Sequence, residues 1–313
     1  MHAGCPILTQ SGWDQANPKT KRKHAVHCTL LNVPSFPDSP NEPTGILALE
    51  ADPHLFHPDQ LPARLQALED LDRLDQPDVR LRALKIRLES ANDALYSAAR
   101  AEIATAREPK LLRRWLTDPA FRNRPQTQPR ALGFDHRDEI VTGVLQLREP
   151  DAPRLHSPEM VPYQPTAVRH ILDLITIGEL SDEDILIDLG SGLGHVPLLV
   201  TILTGIRTLG IELEPTYVAT AQTAAQSLRL DRVRFLAHDA RTADLSCGTI
   251  FYLFTPFTGS MLTDMLSALS RESEKRPIRI CSLGPCTQAL EQQSWLKAAA
   301  TPNPEQITRF DSR

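Results

Sequence analysis

The chain has few aromatic residues and no long apolar run. Phe, Trp and Tyr together form 5% of its 313 residues, while 41% are hydrophobic and 23% are charged. No stretch of eighteen apolar residues occurs, so the sequence contains no candidate for a membrane-spanning helix. The first ten residues also lack the basic and apolar regions of a signal peptide. We therefore expect a cytoplasmic protein with no membrane partner.

Cysteine is scarce as well. The five cysteines are an odd number, and no two of them form a Cys-x-x-Cys pair. This pattern argues against a disulfide framework and predicts reduced thiols in a reducing compartment. Cys281 and Cys286 lie close to each other in sequence, and we assign them to packing. No metal site is predicted.

The sequence has no overall excess of basic residues. From residue 151 onward it carries 14 Lys and Arg against 19 Asp and Glu, a net charge of −5, while residues 1–150 carry 20 of each kind. Phosphate backbones are bound through clustered positive charge, so this balance does not indicate a nucleic-acid partner. Residues 79–114 are locally basic, which fits a solvated helix face or a contact for nucleic acid or an acidic protein surface. The short cluster of Lys19, Lys21, Arg22 and Lys23 fits a solvated basic tail or a site for an anionic partner.

Proline and leucine divide the chain into three regions. Residues 1–54 are rich in proline and lack hydrophobic periodicity, which predicts a disordered tail. Leucines at three- and four-residue steps predict helices over 58–116, within a helical module that we place at 55–135. Residues 136–313 alternate strand and helix patterns and are predicted to form an α/β domain.

The α/β region is organised around residues 185–200. Ile185–Leu189 is a continuous apolar run apart from Asp188, which is typical of a buried parallel strand. Three glycines follow at every second position, and a helix begins at once, with Pro197 in its first turn and Gly205 placed to end it. A strand, a glycine turn and a helix open many nucleotide-binding units, although a tight turn without a ligand has the same pattern.

Acidic residues follow the next two predicted strands. Glu212 ends the strand that begins at Ile206 and lies 24 residues after Asp188, and Asp239 follows the strand Val233–Ala237. An acid at the end of the second strand is placed to accept hydrogen bonds from ribose hydroxyls. Because parallel strands have their carboxyl ends at one sheet edge, we expect these acids to face a common ligand.

The glycine turn reads Gly-x-Gly-x-Gly, with His195 in place of the third glycine of the dinucleotide fingerprint. It resembles motif I of the class I S-adenosylmethionine (SAM) methyltransferases. The resemblance implies a mostly parallel, Rossmann-like sheet with helices on both faces, here preceded by the helical module, and SAM as cofactor. It also implies that Asp239 takes the adenine amino group. The residues expected to bind SAM around these motifs are Asp188, Gly190, Ser191, Gly192, Gly194, Glu212, Asp239 and Ala240.

Over residues 138–285 the chain resembles one branch, the disruptor-of-telomeric-silencing family of histone-lysine methyltransferases and its bacterial members. In that family a tyrosine, and a threonine three residues later, contact the methionine part of SAM; Tyr163 and Thr166 have this spacing. The family also has an asparagine-rich, aromatic stretch after the fourth strand. The equivalent stretch here, Tyr252 to Phe257, has aromatic residues but no asparagine, so the resemblance does not extend to the acceptor.

Methyl transfer from a sulfonium requires mainly alignment of the acceptor and exclusion of water. An amine acceptor must also be neutral, which an apolar pocket favours. Tyr252, Phe254 and Phe257 are placed to build such a pocket, and Tyr163 to close it, although strand aromatics also serve as sheet core. His195 and His238 are candidate general bases; capping or packing explains His195 better, and the role of His238 is undecided.

The sequence thus predicts a SAM-dependent methyltransferase whose acceptor is unidentified. A protein side chain or another large substrate is favoured, because the helical module exceeds what a small-molecule lid requires. A small-metabolite methyltransferase, a SAM-binding protein without catalysis and a nicotinamide-dependent reductase remain alternatives. At the C-terminus we expect a helix over 287–299 and a short strand over 307–310, in a shortened sheet.

Overall fold

The computed structural model describes residues 52–74, 78–106, 108–121, 133–150 and 159–313. They fall into two compact units, one that ends at Leu95 and one that begins at Tyr96. The predicted disordered tail lies outside the described residues up to position 51, and Pro53–Phe56 forms a short 3-10 helix.

The unit that ends at Leu95 is helical. It contains α1 (Leu61–Asp72) and the first part of α2 (Val79–Thr105). The helices expected from the leucine spacing are therefore present. Arg64 is fully buried, and its guanidinium donates to Asn92 Oδ1 at 2.7 Å and to the carbonyls of Leu55 and His57, so its charge is surrounded by acceptors.

The unit that begins at Tyr96 contains the end of α2, further helices and a sheet. Its remaining described helices of more than one turn are α3 (Lys110–Thr117), α4 (His136–Leu145), α5 (Val168–Ile177), α6 (His195–Thr204), α7 (Pro215–Ser227), α8 (Gly259–Ser273) and α9 (Cys286–Glu291). Its strands are β1 (Ile185–Leu189), β2 (Arg207–Glu212), β3 (Val233–Ala237), β4 (Ile250–Phe254), β5 (Arg279–Leu283), β6 (Leu296–Ala298) and β7 (Thr308–Ser312).

The strands form one sheet in the order β3-β2-β1-β4-β5-β7-β6. Strands β1 to β5 pair with one another in parallel, and β7 is antiparallel to both β5 and β6. The predicted fold class, a mostly parallel Rossmann-like sheet with helices around it, is confirmed. Chain order reverses between β1 and β4, and ligands of open parallel sheets bind beyond the carboxyl ends of the strands at such a point.

The expectation for the C-terminus was wrong in two respects. The helix expected over 287–299 ends at Glu291, and residues 296–298 form β6 instead. The expected strand at 307–310 is β7, which pairs with β6 through Leu296 opposite Ser312. The sheet is therefore not shortened, because a three-residue strand is long enough to pair along the edge.

The glycine turn has the predicted form. Gly190, Gly192 and Gly194 all have φ between 51° and 88°, a region that L side chains rarely adopt. Helix α6 begins at His195 and ends before Gly205, whose φ is 75°.

Across the part of the chain covered by the structure, no helix combines the length and the apolar character needed to cross a bilayer.

Candidate functional site

A cleft of about 560 Å³ lies at the carboxyl ends of β1 to β4, beneath the segment that precedes α5. Its volume is in the range of small-molecule sites, about 300 to 1,000 Å³. Gly194 lies outside the lining and serves as the N-cap of α6. The other predicted site residues all line the cleft, namely Tyr163, Thr166, Asp188, Gly190, Ser191, Gly192, Glu212, Asp239, Ala240, Tyr252, Phe254 and Phe257.

Asp188 is a buried carboxylate in the middle of the sheet, in register with Gly210 of β2 and Tyr252 of β4. In the described part of the chain no group donates a hydrogen bond to its side chain. Burial, together with the nearby charge of Glu212, raises the pKa of Asp188 well above its usual value. Because Asp188 lines the cleft, its carboxylate is open to a ligand, and this position suits a ligand that brings a donor.

Glu212 is held rigidly at the end of β2. Its Oε2 accepts the amide hydrogen of Gly192 at 2.9 Å, and its Oε1 accepts those of Leu213 and Glu214 at 2.7 and 2.9 Å. These bonds tie the end of β2 to the glycine turn. A carboxylate offers about four acceptor positions, so Glu212 retains capacity for a ligand hydroxyl.

Asp239 is paired with Arg241. The guanidinium donates to Oδ2 at 2.7 Å and to Oδ1 at 3.0 Å, and the Arg241 amide also donates to Oδ1. These bonds hold the pKa of Asp239 below its usual value. A ligand amino group at this carboxylate would share its oxygens with Arg241, whereas Ala240 beside it presents a buried backbone position in the cleft.

Tyr163 lies against the glycine turn. A Cβ added at Gly192 would come within 2.3 Å of its ring, so only glycine allows this approach. Its hydroxyl is 3.0 Å from Nδ1 of His195, and its ring centroid is 5.2 Å from that of Tyr217. Burial lowers the pKa of His195 to about 4, so the imidazole is neutral at physiological pH.

The aromatic residues predicted for the acceptor pocket also line the cleft, next to Thr166, which was predicted to contact the cofactor. Thr166 Oγ1 lies 3.2 Å from the hydroxyl of Tyr252, and both residues are buried. Phe254 is partly exposed to the cleft, and Phe257 lines it while also packing into the hydrophobic core below. Phe257 therefore belongs both to the cleft wall and to the hydrophobic core.

Thr255 was missed by the sequence reasoning. It has a φ of 38°, a left-handed conformation that is rare for a β-branched residue and costs about 1–3 kcal/mol. Its Oγ1 donates to the Leu283 carbonyl and accepts the Cys286 amide hydrogen, each at 3.2 Å. These bonds hold the kink in which β4 ends. The Thr-Pro pair directly after the strand was the available signal.

The segment before α5 is bonded to the loop after β4. The Val161 amide donates to the Pro256 carbonyl at 3.2 Å, and the Thr258 amide donates to the Glu159 carbonyl at 2.9 Å. The Glu159 carboxylate accepts the Met261 amide hydrogen at 2.8 Å, near the start of α8. The two segments thus form one continuous wall of the cleft.

The cleft is acidic. Its lining, as far as the structure covers it, contains no lysine or arginine, and its histidines are His195 and His238. A site of this charge favours cationic and donor-rich ligands and disfavours a pyrophosphate. No group of three or more His, Cys, Asp or Glu side chains suited to a metal is found in the described ranges. The carboxylates of the lining are Glu149, Asp188, Glu212, Glu214 and Asp239.

Glu149, Glu214 and Tyr217 also belong to the lining but were not predicted. Tyr217 projects from the first turn of α7, and its hydroxyl lies 3.3 Å from Glu149 Oε1. Their sequence positions carry no motif, because a residue from before α5 and one from after β2 are brought together only by the fold. No signal in the chain could have paired them.

No family model matches the sequence, and no curated protein matches it. Among solved structures, an RNA methyltransferase from Salinibacter ruber, in complex with S-adenosyl-L-homocysteine, is 24% identical and aligns over 48% of this chain and 92% of its own, with a TM-score of 0.40. TrmN from Thermus thermophilus is 14% identical over 46% of this chain and 48% of its own, with a TM-score of 0.36. A geranyl diphosphate methyltransferase in complex with GPP and sinefungin is 17% identical over 36% of this chain and 44% of its own, with a TM-score of 0.30.

Proposed function

We propose that the protein is a SAM-dependent methyltransferase and that the cleft beyond β1 to β4 binds the cofactor. The observation that carries the proposal is the buried carboxylate of Asp188, which has no donor within the described chain and lies in a cleft whose described lining contains no lysine or arginine. SAM bears a sulfonium and an ammonium group, and so supplies the positive charge and the donors that this lining lacks. The buried Oγ of Ser191, also without a partner in the described part, adds a further free polar atom.

We assign each part of the cofactor to different residues of the lining. Asp188 is in register with Tyr252, whose hydroxyl lies 3.2 Å from Thr166 Oγ1, so these three groups lie at one end of the cleft. We assign this end to the amino-acid part of SAM, with Asp188 accepting from the ammonium. Glu212 would accept from the ribose, and Asp239 with Ala240 would hold the adenine. When bound, the cofactor supplies an electrophilic methyl group, and the protein's task is alignment and exclusion of water.

The acceptor is expected at the aromatic wall. An apolar wall disfavours an ammonium, so an amine that enters here would be held in its neutral, nucleophilic form. Tyr252, Phe254 and Phe257 form this wall, and Tyr163 covers the cleft beside it. Membership of the disruptor-of-telomeric-silencing branch stays a prediction, because the stretch from Tyr252 to Phe257 contains no asparagine. We favour a protein side chain or another large acceptor, with a small metabolite as the alternative.

Cofactor binding is tested by calorimetric titration with S-adenosylhomocysteine and with sinefungin, which carries an amine in place of the sulfonium. We expect micromolar binding to the wild type and a loss of at least about tenfold in Asp188→Asn, the effect of removing one hydrogen bond to a charged group. Glu183→Gln is the matched control, because Glu183 is exposed and lies outside the cleft. Absence of binding, or tighter binding of NADH, would refute the proposal.

Turnover is tested with SAM carrying a tritiated methyl group. The protein is incubated separately with cellular protein, with RNA and with a low-molecular-weight fraction. We expect label in the protein fraction that is released by protease and absent with Asp188→Asn. Label in small molecules would favour the metabolite alternative, and cofactor binding without label in any fraction would favour a SAM-binding protein that does not catalyse.

A further inference from the structure

We infer that His195 is a positioning residue that holds Tyr163 over the glycine turn through the hydrogen bond between the two side chains. The inference rests on the proposed function, because the segment so held is the one that covers the cofactor cleft. His195 is placed by the backbone: it is the first residue of α6 and follows directly on Gly194, whose left-handed conformation ends the turn.

His195 is the hydrogen-bond partner of the Tyr163 hydroxyl. The edge of the Tyr163 ring rests on Gly192, in the middle of the turn, and the hydroxyl reaches Nδ1 of His195 at 3.0 Å. Tyr217 packs against the same ring from α7, at a centroid distance of 5.2 Å. The Tyr163 ring is thus held by Gly192 at its edge, by the Tyr217 ring and by His195 at its hydroxyl.

The protonation states agree with this bond. Burial favours the neutral imidazole, and one nitrogen of a neutral imidazole must act as an acceptor. Burial and the carboxylates of Glu149, Asp188 and Glu212 keep the Tyr163 hydroxyl protonated. We assign the phenol as the donor and Nδ1 as the acceptor, which places the imidazole proton on Nε2. His195 acts on Tyr163 as an acceptor and not as a general base.

The segment around Tyr163 has few other attachments. Val161 is bonded through its amide to Pro256, and Thr166 is bonded through its side chain to Tyr252. Between them, Pro162 and Pro165 have no amide hydrogen to donate. The side chain of Tyr163 is thus the anchor in the middle of this span. Without the acceptor on His195, the hydroxyl loses its partner in a part-buried setting, and the ring is less well held.

The test is a double-mutant cycle on binding of S-adenosylhomocysteine. His195→Phe removes the acceptor and retains an aromatic ring, and Tyr163→Phe removes only the hydroxyl. Since both substitutions break one bond, we expect each to weaken binding by about threefold to tenfold, and the double variant to bind no worse than the weaker single variant. His195→Gln, whose amide oxygen can accept, should recover part of the loss. Independent, additive losses, or no loss in either single variant, would overturn the inference.

A second readout needs no ligand. Amide hydrogen exchange of residues 159–166 in the ligand-free protein should be faster in both His195→Phe and Tyr163→Phe, while exchange in β1 is unchanged. Unchanged exchange in this segment counts against the positioning role. If His195→Phe does not fold, Tyr163→Phe and His195→Gln carry the comparison. If the wild type fails to bind S-adenosylhomocysteine, the proposed function fails, and the exchange measurement still decides the role of His195.

Discussion

The two halves of the cleft are built in different ways. The half at β1 and β2 is made by backbone: three glycines in left-handed conformations, and a carboxylate, that of Glu212, which accepts three amide hydrogens. The half at β4 is made by side chains: aromatic rings, a strained Thr255 and a neighbouring segment bonded to the loop after the strand. The first half has little freedom to vary, whereas the second can be reshaped one side chain at a time.

The two halves therefore differ in how closely their function is tied to particular residues. A turn that requires left-handed backbone and close approach needs glycine at given spacings, so its chemistry is visible in the sequence. A wall of aromatic side chains is compatible with many sequences and many acceptors. We therefore expect substitutions in the β1–β2 half to abolish cofactor binding, and substitutions in the β4 half to change methyl transfer while cofactor binding persists.

The largest effect is expected for Gly192→Ala. The new Cβ would lie 2.3 Å from the Tyr163 ring, at a φ of 51°. The Tyr163 ring must therefore move away from the turn. Because backbone strain and the displaced ring both affect the site, we expect the affinity for S-adenosylhomocysteine to fall by about a hundredfold or more. The free energy of unfolding should fall by about 1–3 kcal/mol. Calorimetry and denaturant unfolding measure the two effects.

Gly205→Ala is the matched control for this substitution. Gly205 also has a left-handed φ, of 75°, but nothing lies within 4 Å of an added Cβ. It should therefore lose about 1 kcal/mol of stability from backbone strain and retain the binding of the wild type. Equal loss of binding in both variants would mean that strain, and not the approach of Tyr163, explains the result.

The next effect concerns the pH dependence set by Asp188. Burial raises the pKa of this carboxyl in the ligand-free protein, and a ligand ammonium favours the ionised form. Binding therefore releases a proton. The affinity should rise by up to about tenfold per pH unit, and it should level off once the pH is above the raised pKa of Asp188. The rise should be absent in Asp188→Asn. Proton release is measured by calorimetry in buffers of different ionisation enthalpy.

Asp188 should also lower the stability of the ligand-free protein at neutral pH. A carboxyl whose pKa is raised by folding contributes stability that is complete below its unfolded pKa and is lost as pH rises through the folded value. Asp188→Asn should therefore melt at a higher temperature than the wild type at pH 7, with the difference shrinking as pH falls toward 4. A lower melting temperature of the variant at pH 7 would show that the carboxylate already has a donor without the ligand.

The sequence was sufficient to locate most of the acids and aromatic residues that line the cleft, but not the residues that they contact. Asp188, Glu212 and Asp239 were found because acids at successive strand ends must share one edge of a parallel sheet. The partner of Asp239, Arg241, was two residues away but carried no motif. Tyr217 and Glu149 meet only through the tertiary fold. The strain at Thr255 depends on bonds to Leu283 and Cys286, which no local pattern specifies.

A smaller effect is expected at the kink that ends β4. Thr255→Val keeps the shape of the side chain but removes the Oγ1 that bonds to Leu283 and Cys286. Loss of these bonds should cost about 1–3 kcal/mol of stability and slow methyl transfer by about fivefold to tenfold, with unchanged binding of S-adenosylhomocysteine. Thr255→Ser, which retains the hydroxyl, is the control. Weakened cofactor binding in Thr255→Val alone would contradict the separation of the two halves.

The smallest effect is expected for Arg241→Met. Arg241 pairs with Asp239 at 2.7 Å, but both side chains are about 30% exposed, which limits the worth of the pair to about 0–1 kcal/mol. The substitution releases the oxygens of Asp239, so the pKa of this carboxyl should return toward its ordinary value. If Asp239 accepts from the adenine amino group, the freed oxygens should improve affinity for S-adenosylhomocysteine by about twofold, an effect that should disappear when Asp239→Asn is added. Weaker binding in Arg241→Met would mean instead that Arg241 holds Asp239 in place, and that the backbone beside Ala240 is what contacts the adenine.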